Sequence, residues 1–210
     1  MSKKYLVTRP EYDETTHYLS KWCEKTIEFA EQKGIKVLDL QGSKANRKET
    51  EAMLNQSPEL VVLNGHGTDT LVYGHEHQPI IVADENENLL KSKIVYALSC
   101  KSAKTLGMKS VNAGAINYTG YDEDFVMLHE TDKVSRPLSD NLAKLFLEPS
   151  NLLIISLLKG NTVEEAKQKA EDVMRKNVLS SLNSPEPYLT RYLWWNLKHF
   201  VTNGKTDARI

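Results

Sequence analysis

A histidine and a cysteine each follow a short apolar run in this sequence, and together they could carry nucleophilic chemistry. Residues 59–67 read Glu-Leu-Val-Val-Leu-Asn-Gly-His-Gly, and residues 93–100 read Lys-Ile-Val-Tyr-Ala-Leu-Ser-Cys. Such runs are typical of buried strands, and functional groups gather at the carboxyl ends of parallel strands. If the two strands are neighbours, His66 and Cys100 face one cleft, where an imidazole can activate a thiol. Their separation (100 − 66 = 34 residues) leaves room for a parallel crossover.

The rest of the chain alternates predicted strands and helices, which favours a doubly wound, mostly parallel α/β sheet with flanking helices. Further strands are expected at residues 5–8, 35–40 and 115–121, and helices at 15–33, 45–55, 88–92 and 103–113. A small hairpin or excursion is expected within residues 68–88. The remainder reads as a helical C-terminal extension, with helices at residues 139–147, 151–158, 163–182 and 187–202. Thr162 and Glu165 have the spacing of a capping box. We expect one domain over residues 1–210, with a core at about 5–126 and a helical part at about 135–204.

Composition narrows the classes of function. The chain has 210 residues, of which 40% are hydrophobic and 26% charged, as in an ordinary globular protein. A net charge of −1 provides no general attraction for nucleic acid or an anionic membrane, so neither is expected as a partner. The apolar runs are shorter than the roughly 20 residues that span a bilayer. Two cysteines do not make a disulfide framework, and the N-terminus does not read as a signal peptide, so we expect a cytoplasmic protein.

These motifs resemble the caspase-like cysteine peptidases, a superfamily that includes caspases, gingipains, separases and CHAT domains. The apolar strand ending Asn-Gly-His66-Gly comes first, and the strand ending Ser-Cys100 follows. A Leu-Gly pair and an Ala-Gly-Ala turn then lead into a further strand, most like CHAT and gingipain-type sequences. The resemblance covers roughly residues 5–126. It implies a caspase-like fold, with Cys100 as nucleophile and His66 as general acid and base. It also implies an oxyanion hole from the backbone N–H groups of Gly67 and Cys100, and no metal or organic cofactor.

Acidic residues near these strand ends suggest a substrate preference. Asp122 and Asp124 follow the strand after the nucleophile, and Asp13 follows the first strand. In caspase-like folds these segments line the pocket for the residue before the cut, where a carboxylate would pair with Arg or Lys. We therefore predict cleavage after a basic residue. Cleavage after Asp would need arginines there, and Arg9 is the nearby candidate. Two alternatives stay open: the acids form a solvated loop, or Asp13 caps the following helix.

Some residues allow other interpretations. If residues 75–77 were a strand, the rings of His75 and His77 would point to the same face. Together with His66 and Cys100, they could then bind zinc. The sequence has no His-Glu-x-x-His motif and no paired-cysteine motif, so a polar hairpin rim is the simpler interpretation. Cys100 alone would be read as a small buried side chain.

The function predicted is therefore a cysteine endopeptidase acting on a peptide or protein substrate. The alternatives are a non-catalytic caspase-like interaction module and a cysteine-dependent amidohydrolase with a small substrate. The C-terminal helices carry an aromatic cluster, made of Tyr188, Tyr192, Trp194, Trp195 and Phe200. Packing explains such a cluster, and docking of a protein activator or partner is the second interpretation.

Overall fold

The computed structural model describes residues 3–210, which form a twisted sheet between two layers of helices. The strands are β1 (Lys4–Arg9), β2 (Lys36–Gln41), β3 (Leu60–Asn64), β4 (Leu71–Tyr73), β5 (Pro79–Val82), β6 (Ile94–Leu98), β7 (Asn117–Tyr121) and β8 (Phe200–Gly204). The helices are α1 (Glu14–Gln32), α2 (Arg47–Leu54), α3 (Leu106–Asn112), α4 (Asn141–Leu158), α5 (Val163–Leu182) and α6 (Leu189–Lys198). The sheet order is β2-β1-β3-β6-β7-β8, in which all pairs are parallel except β7 with β8. Strands β4 and β5 form a separate antiparallel hairpin, as predicted for residues 68–88.

The central strands β3 and β6 are largely apolar on both faces because both faces of the sheet are covered there. Successive side chains of a strand point to opposite faces. On β1, Tyr5 and Val7 pack against α1, α4 and α5, whereas Leu6 packs on the side of α2, α3 and the β4–β5 hairpin. Strands β3, β6 and β7 are buried along their whole length. Side chains that could act on another molecule must therefore lie in the loops at the strand ends.

Local capping fixes where the main helices begin. Asp13 is the N-cap of α1 and accepts a hydrogen bond from the amide of Thr16. Asn46 does the same for α2 through the amide of Glu49. At α5 the predicted capping box is present, since Thr162 and Glu165 each accept a hydrogen bond from the other's backbone N–H. These caps satisfy amides that the first helical turn leaves without partners.

One continuous helix, α4, replaces the two helices predicted at residues 139–147 and 151–158, so that prediction was wrong. Pro149 lies inside α4 and lacks the N–H that would bond to the carbonyl of Leu145. Asn177 of α5 donates a side-chain hydrogen bond to that carbonyl at 2.9 Å. A neighbouring helix therefore supplies the donor that the proline lacks, and α4 continues through it.

The last predicted helix, at residues 187–202, was also wrong in its final part. Helix α6 ends at Lys198, and Phe200–Gly204 forms strand β8 antiparallel to β7. The pairing runs from Tyr121 opposite Phe200 to Asn117 opposite Gly204. The C-terminal part of the chain thus contributes an edge strand to the central sheet as well as helices.

Helix α4 has the length and the apolar composition of a membrane-crossing helix, and it is the one helix within residues 3–210 that does. It contacts α1 and α5 in the hydrophobic core, and 61% of it is buried inside the molecule. Burial of this kind is what the core helix of a folded domain requires.

Candidate active site

The sheet brings His66 and Cys100 to the same edge. Strands β3 and β6 are adjacent and parallel, and Asn64 is paired with Leu98 at their carboxyl ends. His66 and Cys100 each follow their strand by the same two residues. The amide of Gly65 still donates to the carbonyl of Leu98, at 3.3 Å, so the two chain segments stay together past the last paired residues.

Two glycines allow neighbouring backbone to approach the end of β3 closely, Gly65 on the side of the β4–β5 hairpin and Gly67 on the side of Cys100. Gly65 has φ of +148°, and a Cβ there would lie 2.3 Å from the carbonyl oxygen of Tyr73. At Gly67, a Cβ would lie 2.9 Å from the carbonyl oxygen of Cys100. Real Cβ atoms do not come this close to a backbone oxygen, so both positions require glycine. Gly67 therefore lies directly beside the backbone of Cys100, where the sequence placed a candidate oxyanion donor.

Asp13 holds the imidazole of His66. Nε2 of His66 lies 2.7 Å from Oδ2 of Asp13, while Oδ1 of Asp13 accepts from the amide of Thr16 at 2.8 Å. Burial raises the pKa of Asp13, but the hydrogen bonds from Thr16 and His66 outweigh it and leave that pKa below its usual value. Because an ionised carboxylate only accepts hydrogen bonds, Nε2 donates the proton. In the neutral ring, Nδ1 is then the nitrogen free to accept one.

This position of Asp13 differs from the one expected for a substrate-binding carboxylate. One oxygen caps α1 and the other orients His66. The structure shows the helix cap that the sequence left open, together with the contact with His66, and substrate binding by Asp13 stays a prediction. Neither oxygen is left without a partner within the molecule.

The β4–β5 hairpin places a second imidazole against His66. His77 is stacked on His66, with ring centroids 5.2 Å apart and planes only 5° apart. Tyr12 packs edge-on against His77 and His75, at 5.1 and 5.4 Å. Glu76 and His77 both have positive φ, of 50° and 56°, so the segment is a strained turn instead of a strand. In residues 3–210, no group of three His, Cys, Asp or Glu side chains is arranged to hold a metal ion.

Cys100 is half-buried, and its thiol faces the loop that follows β7. Sγ lies 3.9 Å from the carbonyl oxygen of Phe125. Burial raises the pKa of the Cys100 thiol above its usual value, and the Asp124 carboxylate adds to this effect, whereas Lys101 opposes it. In the described part of the chain, no hydrogen bond joins His66 to Cys100. The resting thiol is therefore protonated and directed at a backbone carbonyl.

The remaining acidic candidates differ in their availability. Oδ1 of Asp122 lies 2.8 Å from Nδ1 of His199, although 39% of the Asp122 side chain is exposed. Asp124 forms an ion pair with Nζ of Lys101 at 3.0 Å, but 57% of its side chain is exposed. Of the three predicted substrate-binding acids, Asp124 has the most exposed side chain, at 57% against 39% for Asp122 and 36% for Asp13.

Arg9, the candidate that cleavage after Asp would need, is occupied. It is buried, and its guanidinium binds both oxygens of Asp39 and also contacts Glu24. Its pKa is raised because these carboxylates outweigh the cost of burial. A paired and buried guanidinium has no donor surface to offer an acidic substrate.

Sequence reasoning missed the residues that support the site from a distance. The contact of Asp13 with His66 joins positions 53 residues apart. Asn196, Trp195 and His199 of the α6–β8 region bind the loop beside Cys100. For His77, the His-x-His pattern was interpreted as a polar hairpin rim, and nothing in that pattern indicated that its ring stacks on His66.

Comparison with known proteins identifies the fold. No protein-family model matches the sequence, and no curated protein matches it. Among solved structures, the chain is similar to the crystal structure of gingipain R, described as an Arg-specific cysteine proteinase, with a TM-score of 0.67 at 11% identity. It is also similar to the complex of the pro- and mature domains of Porphyromonas gingivalis RgpB, with a TM-score of 0.63 at 10% identity.

The alignments cover 99% of this chain but 47% and 48% of the gingipain chains, so the chain spans about half of their length. They define a caspase-like α/β fold, with a mostly parallel sheet flanked by helices, which confirms the fold predicted from the sequence. The aligned region includes the C-terminal helices, for which the sequence offered no match.

Proposed function

We propose that the protein is a cysteine endopeptidase in which Cys100 is the nucleophile and His66 the general acid and base. The register of β3 and β6 carries this proposal, because it places the two residues at equivalent positions on adjacent strand ends. The likeness to the fold of a cysteine proteinase supports the same class of enzyme.

The reaction divides between the two side chains. Sγ of Cys100 attacks the carbonyl carbon of the scissile bond, and its proton passes to Nδ1 of His66. The imidazolium is stabilised by Asp13, whose carboxylate holds the opposite ring nitrogen. His66 then gives the proton to the leaving amine, and water activated by the same ring hydrolyses the thioester. The thiol must first break its hydrogen bond with the carbonyl of Phe125, so the structure corresponds to the resting protein before substrate binds.

The tetrahedral intermediate needs donors for its oxyanion. The backbone N–H groups of Gly67 and Cys100 are our candidates, because the two residues adjoin each other on the site edge. The missing side chain at Gly67 leaves space for the substrate carbonyl.

The proposed preference is for a basic residue before the cut, with Asp124 as its partner. Asp124 is exposed beside Cys100, and its present partner, Lys101, is a cation that a substrate Arg or Lys could replace. A planar guanidinium binds a carboxylate through two parallel hydrogen bonds, which favours Arg over Lys.

The test is labelling with peptidyl acyloxymethyl ketones that carry Arg, Lys, Asp or Leu next to the reactive group. Intact mass and peptide mapping locate the adduct, with Cys100→Ala and His66→Ala as controls. Labelling of Cys100 by the Arg and Lys probes is expected, with loss of Arg labelling in Asp124→Asn. Labelling by the Leu or Asp probe alone would overturn the preference for a basic residue but would leave the proposed roles of Cys100 and His66 intact. Absence of labelling and of peptide cleavage would overturn the peptidase itself.

A second candidate is a non-catalytic caspase-like module that acts by binding. The observation in its favour is the resting thiol, which is half-buried, bonded to Phe125 and not to His66. A module of this kind would fail to react with every substrate-like probe while Cys100 stayed accessible to a small alkylating agent after unfolding. The probe series above therefore separates the two candidates.

A further inference from the structure

Residues 122–126 form a strip of irregular chain, with a bend at residues 122–123, between Cys100 and the C-terminal part of the protein. Its odd-numbered carbonyls face the nucleophile segment: Glu123 accepts from the amide of Lys101 at 3.0 Å, and Phe125 accepts from Sγ of Cys100 at 3.9 Å. The thiol of Cys100 and the amide of the next residue, Lys101, therefore lie against the same side of this strip.

The backbone groups of the even-numbered residues face the other way, whereas the Asp124 side chain stays on the Cys100 side and pairs with Lys101. Nδ1 of His199 lies 2.8 Å from Oδ1 of Asp122, and the His199 carbonyl accepts from the Asp122 amide at 3.1 Å. The indole N–H of Trp195 donates to the carbonyl of Asp124 at 2.8 Å. The backbone hydrogen bonds of this strip thus alternate between two partners, the Cys100 segment and the α6–β8 region.

Asn196 completes the attachment from inside the fold. Its Oδ1 accepts from the amide of Val126 at 2.9 Å, and its Nδ2 donates to the carbonyl of the same residue at 2.7 Å. The side chain is only 3% exposed. The Asn196 side chain binds both backbone groups of Val126, as a neighbouring strand would. Breaking these hydrogen bonds would leave buried polar groups without partners.

We propose that Asn196, with Trp195 and His199, is a positioning device for the nucleophile: it holds the strip 122–126 against Cys100 and so sets how deeply the thiol is covered. As far as turnover is concerned, this inference rests on the proposed peptidase function. It gives the α6–β8 region a role in the site, although none of its residues touches the reacting atoms.

Two changes test the device, each with a matched control. Asn196→Leu removes both bonds to Val126, and Asn151→Leu removes a buried asparagine that donates to Trp22 at 2.8 Å, away from Cys100. Trp195→Phe removes only the indole N–H and keeps the aromatic packing, so it serves where Asn196→Leu does not fold. Trp194→Phe is its control, because Trp194 is exposed and makes no side-chain hydrogen bond within residues 3–210.

The readouts do not depend on peptidase activity. Iodoacetamide labelling of Cys100, followed by peptide mapping across a pH series, reports the cover of the thiol. Hydrogen exchange reports the amides of residues 122–126. We expect Asn196→Leu and Trp195→Phe to raise both rates, about fivefold for the loss of a single hydrogen bond. The thiol is covered in the native protein, so release shifts its titration towards the value of a free cysteine.

In peptide cleavage, the same variants should lower kcat more than they change KM. Unchanged alkylation and exchange in both variants, or an equal rise in the two controls, would overturn the positioning role. A wild-type protein that cleaves no peptide would overturn the proposed function instead, while alkylation and exchange would still decide on Asn196.

Discussion

Nε2 of His66 donates to Oδ2 of Asp13 at 2.7 Å, and this one contact joins the start of α1 to the end of β3. The carboxylate fixes which ring nitrogen carries the proton, and it stabilises the ring when it becomes charged. Asp13 is thus both a helix cap and a positioning residue for the proposed base.

Asp13→Ala should lower kcat/KM by on the order of a hundredfold, because the imidazole loses its orientation and its counter-charge. Loss of the cap should cost about 1 kcal/mol of stability. Asn46→Ala is the matched control, since Asn46 caps α2 in the same way and lies outside the site. Steady-state kinetics and urea unfolding measure both effects. Equal activity in the two variants would contradict the role of Asp13.

Stability against acid should also depend on Asp13. The pKa of Asp13 is below the usual carboxyl value in the folded protein. Its ionised form therefore stabilises the fold at every pH above that usual value. This contribution is lost as the pH falls through the lowered pKa. The difference in unfolding free energy between wild type and Asp13→Asn should therefore shrink on acidification from neutral pH. A difference that stays constant would show that the charge of Asp13 adds nothing to folding.

The stacked ring of His77 should hold the plane of His66. His77→Ala should lower kcat by about three- to tenfold with little change in KM, the range expected for loss of one aromatic pair. His77→Phe, which keeps a stacked ring, should restore most of the rate. His75→Ala is the control, because His75 packs on Tyr12 and not on His66. Failure of the Phe variant to restore activity would argue against stacking as the cause.

Gly67→Ala should damage the site by steric pressure alone. The new Cβ would meet the carbonyl of Cys100 at 2.9 Å, so the two strand ends must separate. We expect a cost of about 1–3 kcal/mol in stability and a loss of probe labelling at Cys100. Gly34→Ala is the comparison. Gly34 has a positive φ, so an alanine there strains the backbone, but its Cβ would meet no neighbouring atom and it lies far from the site. Normal labelling in Gly67→Ala would contradict the proposed closeness.

The proline inside α4 allows a double-mutant test of packing. Asn177→Ala should destabilise the protein by about 1 kcal/mol, because it removes the donor to the Leu145 carbonyl. In a Pro149→Ala background that carbonyl gains a helical N–H, so the same change should cost less. Chemical unfolding of the four proteins measures the coupling. Additive effects would show that Asn177 does not replace the missing helical bond.

Much of the fold follows from local pattern. The strands β3 and β6 are short runs that are apolar apart from Asn64, because both faces of the sheet are covered, and this signal is strong even in a single sequence. The capping box at Thr162 and Glu165 is equally local and was confirmed. The sequence placed His66 and Cys100 at strand ends and left open whether the strands are neighbours, and in the structure β3 and β6 are adjacent.

Other features depend on distant parts of the chain. Strand β8 exists because β7 offers an edge, and the residues that precede it are helical. The continuity of α4 through Pro149 depends on Asn177 of another helix. No spacing in the sequence links Asp13 to His66 or Asn196 to Val126.

The pairing of β7 with β8 also bears on how the protein is made. Strand β7 leads directly into the strip beside Cys100, yet its antiparallel partner begins only at Phe200. A nascent chain still short of that residue has both the cysteine and the histidine but lacks the strand and the helix end that organise their surroundings. Contacts this distant in sequence form late in folding. On the ribosome, the surroundings of Cys100 can therefore be organised only after translation has passed β8.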